Sequence, residues 1–205
     1  MKNKVLSVIL AIILVAAFLY TFFIASIMDL VNTKDVREVS VNGAGELLTV
    51  GNSINGIIPT GKDYYYVGVS QSDEAEVIYA IHADKHWLDK NFDINGMANS
   101  GNLAIKGLTK RANDFEVEKE IAYRMEQISY SDGQTSFVQA LTPGYVLELN
   151  YVQDAIMRIV AGVVLLIAGA LFMCYRKFDT LPGWGRKLLL VFFIVALFFA
   201  LWTII

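Results

Sequence analysis

Residues 5–28 read VLSVILAIILVAAFLYTFFIASIM and contain no charged side chain. As an α-helix rising about 1.5 Å per residue, this block would be about 36 Å long, enough to cross a hydrocarbon core of about 30 Å. It far exceeds the apolar core of about 7–15 residues found in a cleaved signal peptide, and no Ala-x-Ala site closes it. The block is therefore predicted to be an uncleaved signal anchor.

Two further apolar blocks, residues 155–175 and 188–205, lie near the C-terminus, and Arg158 is the one charge within them. The chain as a whole is 55% hydrophobic, which is too apolar for an ordinary soluble domain. Backbone N–H and C=O groups in lipid must be bonded internally, so each block is predicted to be a helix. The predicted fold class is an integral membrane protein with three transmembrane helices, one N-terminal and two in a C-terminal hairpin, framing an α+β domain.

The charges predict which way the chain crosses the membrane. The middle segment, residues 29–154, holds 10 Lys and Arg against 19 Asp and Glu, a net charge of −9. Residues 1–4 and the loop 176–187 are basic instead. Because basic short loops stay in the cytoplasm, these two segments are predicted to be cytoplasmic and the middle domain extracytoplasmic. The sequence thus indicates a multi-pass protein of the plasma membrane.

Two absences in the middle segment favour a bacterial plasma membrane over a eukaryotic secretory route. It contains no cysteine and no Asn-x-Ser/Thr acceptor for glycosylation. Its negative charge also argues against nucleic acid as a partner.

Strand-like and helix-like stretches interleave in the middle domain, which is typical of an α+β fold. The first helix is expected to continue past Asp29 and to break at Asn42 and Gly43. Residues 51–61 are rich in Gly, Asn, Ser and Pro and are expected to form a loop. The other expected elements are a β-hairpin of residues 63–70 and 76–82, two helices, and strands over 46–50, 103–109, 137–141 and 145–151. The first of these two helices is expected over 84–92, and the second ends at Ser131 and is capped by Asn113 or Asp114.

Residues 91–102, NFDINGMANSGN, resemble the start of a calcium-binding loop. Asp93 and Gly96 fall at loop positions 3 and 6, but Asn102 stands where an EF-hand needs a bidentate Glu. The alternative interpretation is a plain turn, since Asn and Gly tolerate positive φ.

His82 and His86 are the only histidines, and they are spaced as an H-x-x-x-H pair. A zinc site here would take a third ligand from Asp84 or Asp89, and Asp93 of the calcium-like loop is a separate candidate metal ligand. Ala83, however, stands where a metalloprotease motif has its Glu. The alternative is a strand-end histidine and a helix-surface histidine. No cofactor and no catalytic residue is predicted.

Three consecutive tyrosines, Tyr64, Tyr65 and Tyr66, lie in the first strand of the predicted hairpin. Tyr is favoured at recognition surfaces, so the face bearing Tyr64 and Tyr66, or the opposite face with Tyr65, is a candidate recognition surface. The alternative is that these residues form the core and flank of the sheet.

Small residues recur along the two C-terminal apolar blocks, and they predict close helix packing. Gly162 and Gly169 are seven residues apart in the first block, and Ala196 and Ala200 are four apart in the second. The two helices are therefore expected to pack against each other, with the first helix or another chain completing the contact.

The expected function is non-enzymatic: a membrane-anchored module whose outer domain binds, senses or interacts. Its expected partners are the lipid bilayer and another membrane protein or an envelope component. Two alternatives remain open, an accessory subunit of a larger membrane complex and a metal-dependent membrane-bound hydrolase.

Overall fold

The computed structural model describes residues 12–32, 34–54, 58–71, 75–112, 114–131, 137–178 and 183–203. The chain divides into two compact units, a helical unit made of Met1–Val31 with Val152–Ile205 and a β-rich unit made of Asn32–Tyr151. The helices are α1 (Ile12–Val31), α2 (Trp87–Asn91), α3 (Phe115–Ser131), α4 (Tyr151–Phe178) and α5 (Gly183–Trp202). The strands are β1 (Val36–Val41), β2 (Gly43–Ile54), β3 (Ile58–Gln71), β4 (Glu76–Ala83), β5 (Leu103–Arg111), β6 (Val138–Gln139) and β7 (Tyr145–Glu148).

Within the described part of the chain, two helical stretches are long and apolar enough to cross a membrane, Ile12–Val31 and Tyr151–Leu171. Only 11% and 22% of their residues are buried, so most of their apolar side chains point away from protein. The third predicted span corresponds to α5, whose apolar part, Lys187–Leu201, is shorter than either of these two stretches. Residues 1–11 and 179–182, which include the predicted cytoplasmic N-terminus and part of the predicted cytoplasmic loop, lie outside the described residues.

The strands form one mixed sheet in the order β1-β5-β7-β4-β3-β2, with β6 added beside β4. Asn42 alone separates β1 from β2, so the two ends of the strand order are joined and the sheet curls into a small barrel. The Asn42 N–H donates to the Val69 carbonyl of β3 across this closure, at 2.9 Å. A Cβ added at Gly68 would lie 3.2 Å from Val41, so only glycine leaves room where the strands meet.

If β1 and β2 are counted as one long bent strand, the barrel has five strands: this bent strand, β5, β7, β4 and β3. Neighbours in this barrel are antiparallel except β4 and β7, which are parallel. The β-rich unit therefore shares the strand connectivity of OB-fold barrels, which are five-stranded and partly open. This connectivity describes architecture only, since one fold carries many functions.

The two faces of the sheet bury separate apolar cores. The inner core contains Val41, Tyr66, Ile81 and Leu147, and the segment that includes α2 closes it with Trp87 and Phe92. The outer core lies between the sheet and α3 and contains Tyr65, Ile78, Ala80, Val146, Ile121 and Met125. Alternate residues of one strand enter different cores, as the two-residue period of a strand requires.

Several expected elements are confirmed by the structure. The predicted hairpin is β3 and β4, paired from Tyr64 opposite Ala83 to Gln71 opposite Glu76. The predicted helix from Asp114 is α3, where the Asp114 carboxylate accepts the Glu116 N–H at 2.7 Å as a cap. Strand β5 covers the expected strand at 103–109.

The predicted continuation of the first helix to Asn42 is wrong. Helix α1 ends at Val31, and β1 begins at Val36. The sequence of β1, VREVSV, places valine at three of six positions, and strand pairing with β5 outweighs the helical continuation.

The predicted loop at residues 51–61 is also wrong. Strand β2 continues to Ile54, and β3 already begins at Ile58. In this part of the hairpin, the described residues of β2 and β3 pair with each other and with no third strand. Glycine, asparagine and proline are therefore tolerated, because the outer edges of the two strands need no hydrogen-bonded neighbour. Elsewhere the elements are shorter than expected: α2 is Trp87–Asn91, β6 is Val138–Gln139 and β7 is Tyr145–Glu148.

Candidate functional site

One row of directly paired residues runs across β1, β5, β7, β4, β3 and β2 and brings polar side chains together on the outer face of the sheet. The strand register aligns Val36, Leu108, Glu148, His82, Tyr65 and Leu48 in this order. Three of these six, Glu148, His82 and Tyr65, carry groups that can form hydrogen bonds.

The His82 imidazole lies between two carboxylates. Its Nδ1 is 2.5 Å from an oxygen of Glu148, and its Nε2 is 3.7 Å from an oxygen of Asp63. The Tyr65 ring stacks on the imidazole with 4.7 Å between centroids, which fixes the plane of the ring. Both ring nitrogens therefore face anionic acceptors, and the arrangement favours the doubly protonated, cationic imidazolium.

Glu148 is the most deeply buried member of this group, with 1% of its surface exposed. The Lys110 ammonium lies 3.5 Å from the same carboxylate oxygen that faces His82, and the Asn150 N–H donates to the other oxygen at 3.4 Å. Two cations and two anions, Lys110 and His82 with Asp63 and Glu148, thus form a neutral cluster, which we call the charge cluster.

The pKa values of the charge cluster follow from these contacts. Burial alone would lower the pKa of His82, but the nearby Asp63 carboxylate and the hydrogen bond to Glu148 outweigh burial and raise the pKa to about 9. Burial alone would raise the pKa of Glu148, but the hydrogen bond from His82 and the positive charges of His82 and Lys110 lower it. The Asp63 pKa is lowered too, because the nearby His82 imidazolium and a hydrogen bond from Asn52 outweigh its burial.

The chemistry of the charge cluster is that of a fixed ion network. An imidazolium held by a carboxylate at each nitrogen has no lone pair free to bind a metal or to accept a substrate proton. Its members lie on four neighbouring strands, β3, β4, β7 and β5. The cluster therefore ties together the part of the barrel where β7 ends, three residues before α4 begins at Tyr151.

The structure does not gather the candidate metal ligands into one site. His82 belongs to the charge cluster, and the His86 imidazole lies 3.7 Å from Asp89, with both side chains exposed. Within the described ranges, no three His, Cys, Asp or Glu side chains are arranged to hold a metal ion.

The calcium-like loop is a rigid turn packed on the barrel. The Asp93 carboxylate accepts the N–H groups of Asn95 and Met97 at 2.8 and 2.9 Å, so its oxygen is used within the turn. Gly96 has a φ of 76°, and a Cβ there would lie 2.5 Å from the Ala44 carbonyl. The Asn-Gly pair therefore has a structural reason, namely a positive φ and a close approach to β2.

Tyr64, Tyr65 and Tyr66, the candidate recognition residues, lie in the core and flank of the sheet. Tyr65 is 3% exposed and Tyr66 2% exposed, in the outer and inner cores respectively. The Tyr66 hydroxyl donates to the carbonyls of Asp84 and Lys85. Tyr64 is half-buried against the inner core. These side chains form no exposed patch.

A groove of about 860 Å³ runs between α3 and residues 137–143. Its walls are apolar and aromatic, from Ala122, Tyr123, Phe137, Leu141 and Pro143, with Lys119, Glu126, Ser129 and Gln139 as polar groups. This volume and this mixture of many apolar walls with few polar groups are typical of ligand-binding clefts. None of these residues belongs to a sequence motif for ligand binding, and only the fold brings them together.

The small residues of the helical unit have different neighbours. A Cβ added at Gly162 would lie 2.8 Å from the Cβ of Phe22 and 3.0 Å from the ring of Phe23, so α1 covers this glycine. Among the residues that the structure describes, none lies within 4 Å of a Cβ added at Gly169. Ala196 and Ala200 are each 2% exposed.

Arg158 joins the ends of three helices. Its guanidinium lies 3.7 Å from the Asp29 carboxylate of α1 and donates to the Thr203 carbonyl, just after α5, at 3.3 Å. The end of α1, the start of α4 and the end of α5 therefore lie side by side, as expected for a helix followed by an antiparallel hairpin.

Comparison with models of protein families, with curated proteins and with solved structures finds no match. Glu148 in YVLELN is a lone charge inside an apolar strand, whereas Lys110 in LAIKGLTKR stands beside Arg111. Asp63, His82, Lys110 and Glu148 are far apart along the chain, so only the strand order shows that they meet.

Proposed function

We propose that this chain is a membrane-anchored binding protein. Its three apolar helices cross the plasma membrane, its N-terminus is cytoplasmic, and its barrel is extracytoplasmic and binds a partner in the groove beside α3. The observation that carries the proposal is the division of the chain into a helical unit with exposed apolar surfaces and a charged β-rich unit with two buried cores.

The groove supports binding rather than catalysis. It is open along the side of α3, and both signs of charge, from Lys119 and Glu126, line it beside aromatic walls. An extended peptide segment presents apolar side chains, amides and charges together, so it matches such a lining. The proposed ligand class is accordingly a segment of another membrane or envelope protein.

The orientation is tested by thiol labelling of intact cells with a membrane-impermeant maleimide. Ser100 is exposed in the β-rich unit, so a Ser100→Cys variant that also carries Cys174→Ala is expected to react from outside. The wild-type chain, whose only cysteine is Cys174, is expected to react only after permeabilisation. Reaction of Cys174 in intact cells, with protection of the cysteine at 100, would mean that the chain is inserted the other way round.

Binding in the groove is tested by photo-crosslinking in cells. A benzoylphenylalanine at position 123, inside the groove, is expected to give a discrete adduct with a partner protein. The matched control is the same substitution at Phe115, which lies on the same helix, is 65% exposed and does not line the groove. Equal crosslinking at both positions, or none at 123, would contradict the proposal.

A second candidate function is that of an accessory subunit that docks onto a larger membrane complex. One observation favours it: Gly169 has open space where a Cβ would stand, whereas Gly162 is covered by α1. A helix from another protein fits against an open glycine of this kind. Crosslinks from position 166 or 170 of α4 to a membrane protein, without crosslinks from position 123, would support this function over groove binding.

A further inference from the structure

Three strands of the barrel run in the same direction and end at the same end of the barrel. β4 and β7 are parallel, and β2 runs with them because β3 is antiparallel to both β2 and β4. The β2–β3 ribbon, the segment 84–102 and the passage into α4 therefore all leave from this end. Three residues separate Glu148 from Tyr151, the first residue of α4, so that helix begins at most about 11 Å away.

The β2–β3 ribbon projects beyond the rest of the sheet. Pairing between β3 and β4 stops at Tyr64, so Gly51, Asn52, Ser53 and Ile54 have only residues of β3 as strand partners. At about 3.3 Å per residue, the five residues 58–62 carry the ribbon about 16 Å outward. Residues 52–60, NSINGIIPT, carry no charge, in a domain that holds 29 charged side chains over residues 29–154.

A second uncharged element at this end is the tip of the turn that follows α2. Ile94 is fully exposed and Met97 is 55% exposed. The turn is held in place, since Asp93 accepts two N–H groups and the Ala44 N–H donates to the Gly96 carbonyl at 2.8 Å. These hydrogen bonds hold the turn away from the barrel core, so the Ile94 side chain stays exposed.

We infer that this end of the barrel touches the lipid bilayer, with Ile94, Met97 and the described residues 51–54 and 58–62 of the β2–β3 ribbon in the headgroup region. The inference rests on the proposed function, because it needs α4 to cross the membrane. An interfacial contact buries apolar side chains about 5–10 Å into the boundary between headgroups and acyl chains. A domain of net charge −9 is repelled by anionic lipids, so the elements that approach them are the uncharged ones.

The test uses the full-length chain in proteoliposomes with a single environment-sensitive nitrobenzoxadiazole (NBD) probe. The probe is attached to a cysteine at position 94 or 58 in the Cys174→Ala background, and the lipids carry a nitroxide near the headgroup, or near the middle of the acyl chain for the control at position 166. The matched control is Gln71→Cys, an exposed site at the opposite end of β3 from residue 58. Leu166→Cys on α4 is the control for insertion, since this residue is 50% exposed in the middle of the predicted span.

The probe at position 94 is expected to be quenched at least about twofold more than the probe at 71, and the probe at 58 likewise, as contact with the headgroup region requires. If Leu166 is quenched but 94 and 58 are no more quenched than 71, the bilayer contact is wrong and the exposed Ile94 is left for a protein partner. If Leu166 itself is not quenched, the proposed membrane anchoring fails, and the bilayer contact fails with it.

Discussion

Replacing Glu148 with Ala is expected to lower the free energy of unfolding of the barrel by about 3 kcal/mol or more, since removing one member of a buried ion pair leaves its partner uncompensated. Here the uncompensated groups are the His82 imidazolium and the Lys110 ammonium, which share one oxygen of this 1%-exposed carboxylate. The measurement is urea unfolding of the full-length chain in micelles. Trp87 reports the inner core if Trp184 and Trp202 are replaced by Phe.

The control for this prediction is another glutamate that also has a cationic partner. Glu116 is exposed and lies 3.4 Å from Lys119, one helical turn away in α3. Exposed pairs of this kind contribute less than about 1 kcal/mol, so Glu116→Ala should leave the urea midpoint almost unchanged. Equal effects at 116 and 148 would show that the charge cluster does not stabilise the barrel.

The charge cluster also gives the stability a pH dependence with a definite sign. The raised pKa of His82 means that its contribution is complete below pH 6.5 and is lost as the pH rises through about 9. The lowered pKa values of Asp63 and Glu148 mean that their contribution is complete above pH 4.5 and is lost at lower pH. The barrel is therefore expected to be most stable between about pH 4.5 and 6.5, and His82→Gln should remove the decline towards pH 9.

The sequence predicts the elements that depend on local patterns, and α3 shows why. Asp114 as a cap, glutamates in the first turn, and Val117, Ile121, Met125 and Ile128 on one stripe all indicate the same helix. The hairpin of β3 and β4 is predictable for the same reason, since aromatic and β-branched runs flank a short polar turn.

The barrel itself is not predictable in this way, because its closure depends on contacts distant in sequence. β1 is six residues long and pairs with β5, about 70 residues later along the chain. Composition misleads at the β2–β3 ribbon, where glycine and proline suggest a loop. The charge cluster depends on the strand order too, since Asp63, His82, Lys110 and Glu148 come from four strands.

The second large effect is expected in the helical unit, where Gly162→Leu should destabilise the packing of α1 on α4 by about 1–3 kcal/mol, the usual cost of overpacking a filled site. A Cβ at this position already lies 2.8 Å from the Cβ of Phe22, which is fixed to the backbone of α1 and cannot rotate away. Phe22 also contributes to the small apolar cluster with Ala161 and Ala200, so its displacement disturbs all three helices. The midpoint of unfolding by SDS in mixed micelles, followed by helical circular dichroism, measures the loss.

Gly169→Leu is the matched control for this prediction, because it makes the same substitution on the same helix at a position where a Cβ meets no described residue within 4 Å. We expect it to leave the SDS midpoint of the isolated chain close to that of the wild type.

The two variants also distinguish packing of α1 within the chain from packing of α4 against a helix of a partner protein. If α1 is the neighbour that requires glycine, only Gly162→Leu weakens the isolated protein. If a partner helix uses the open strip, Gly169→Leu leaves the isolated protein intact and disrupts only its assembly with that partner. Equal destabilisation of the isolated chain by both variants would contradict the contact of α1 with Gly162 as the specific determinant of helix packing.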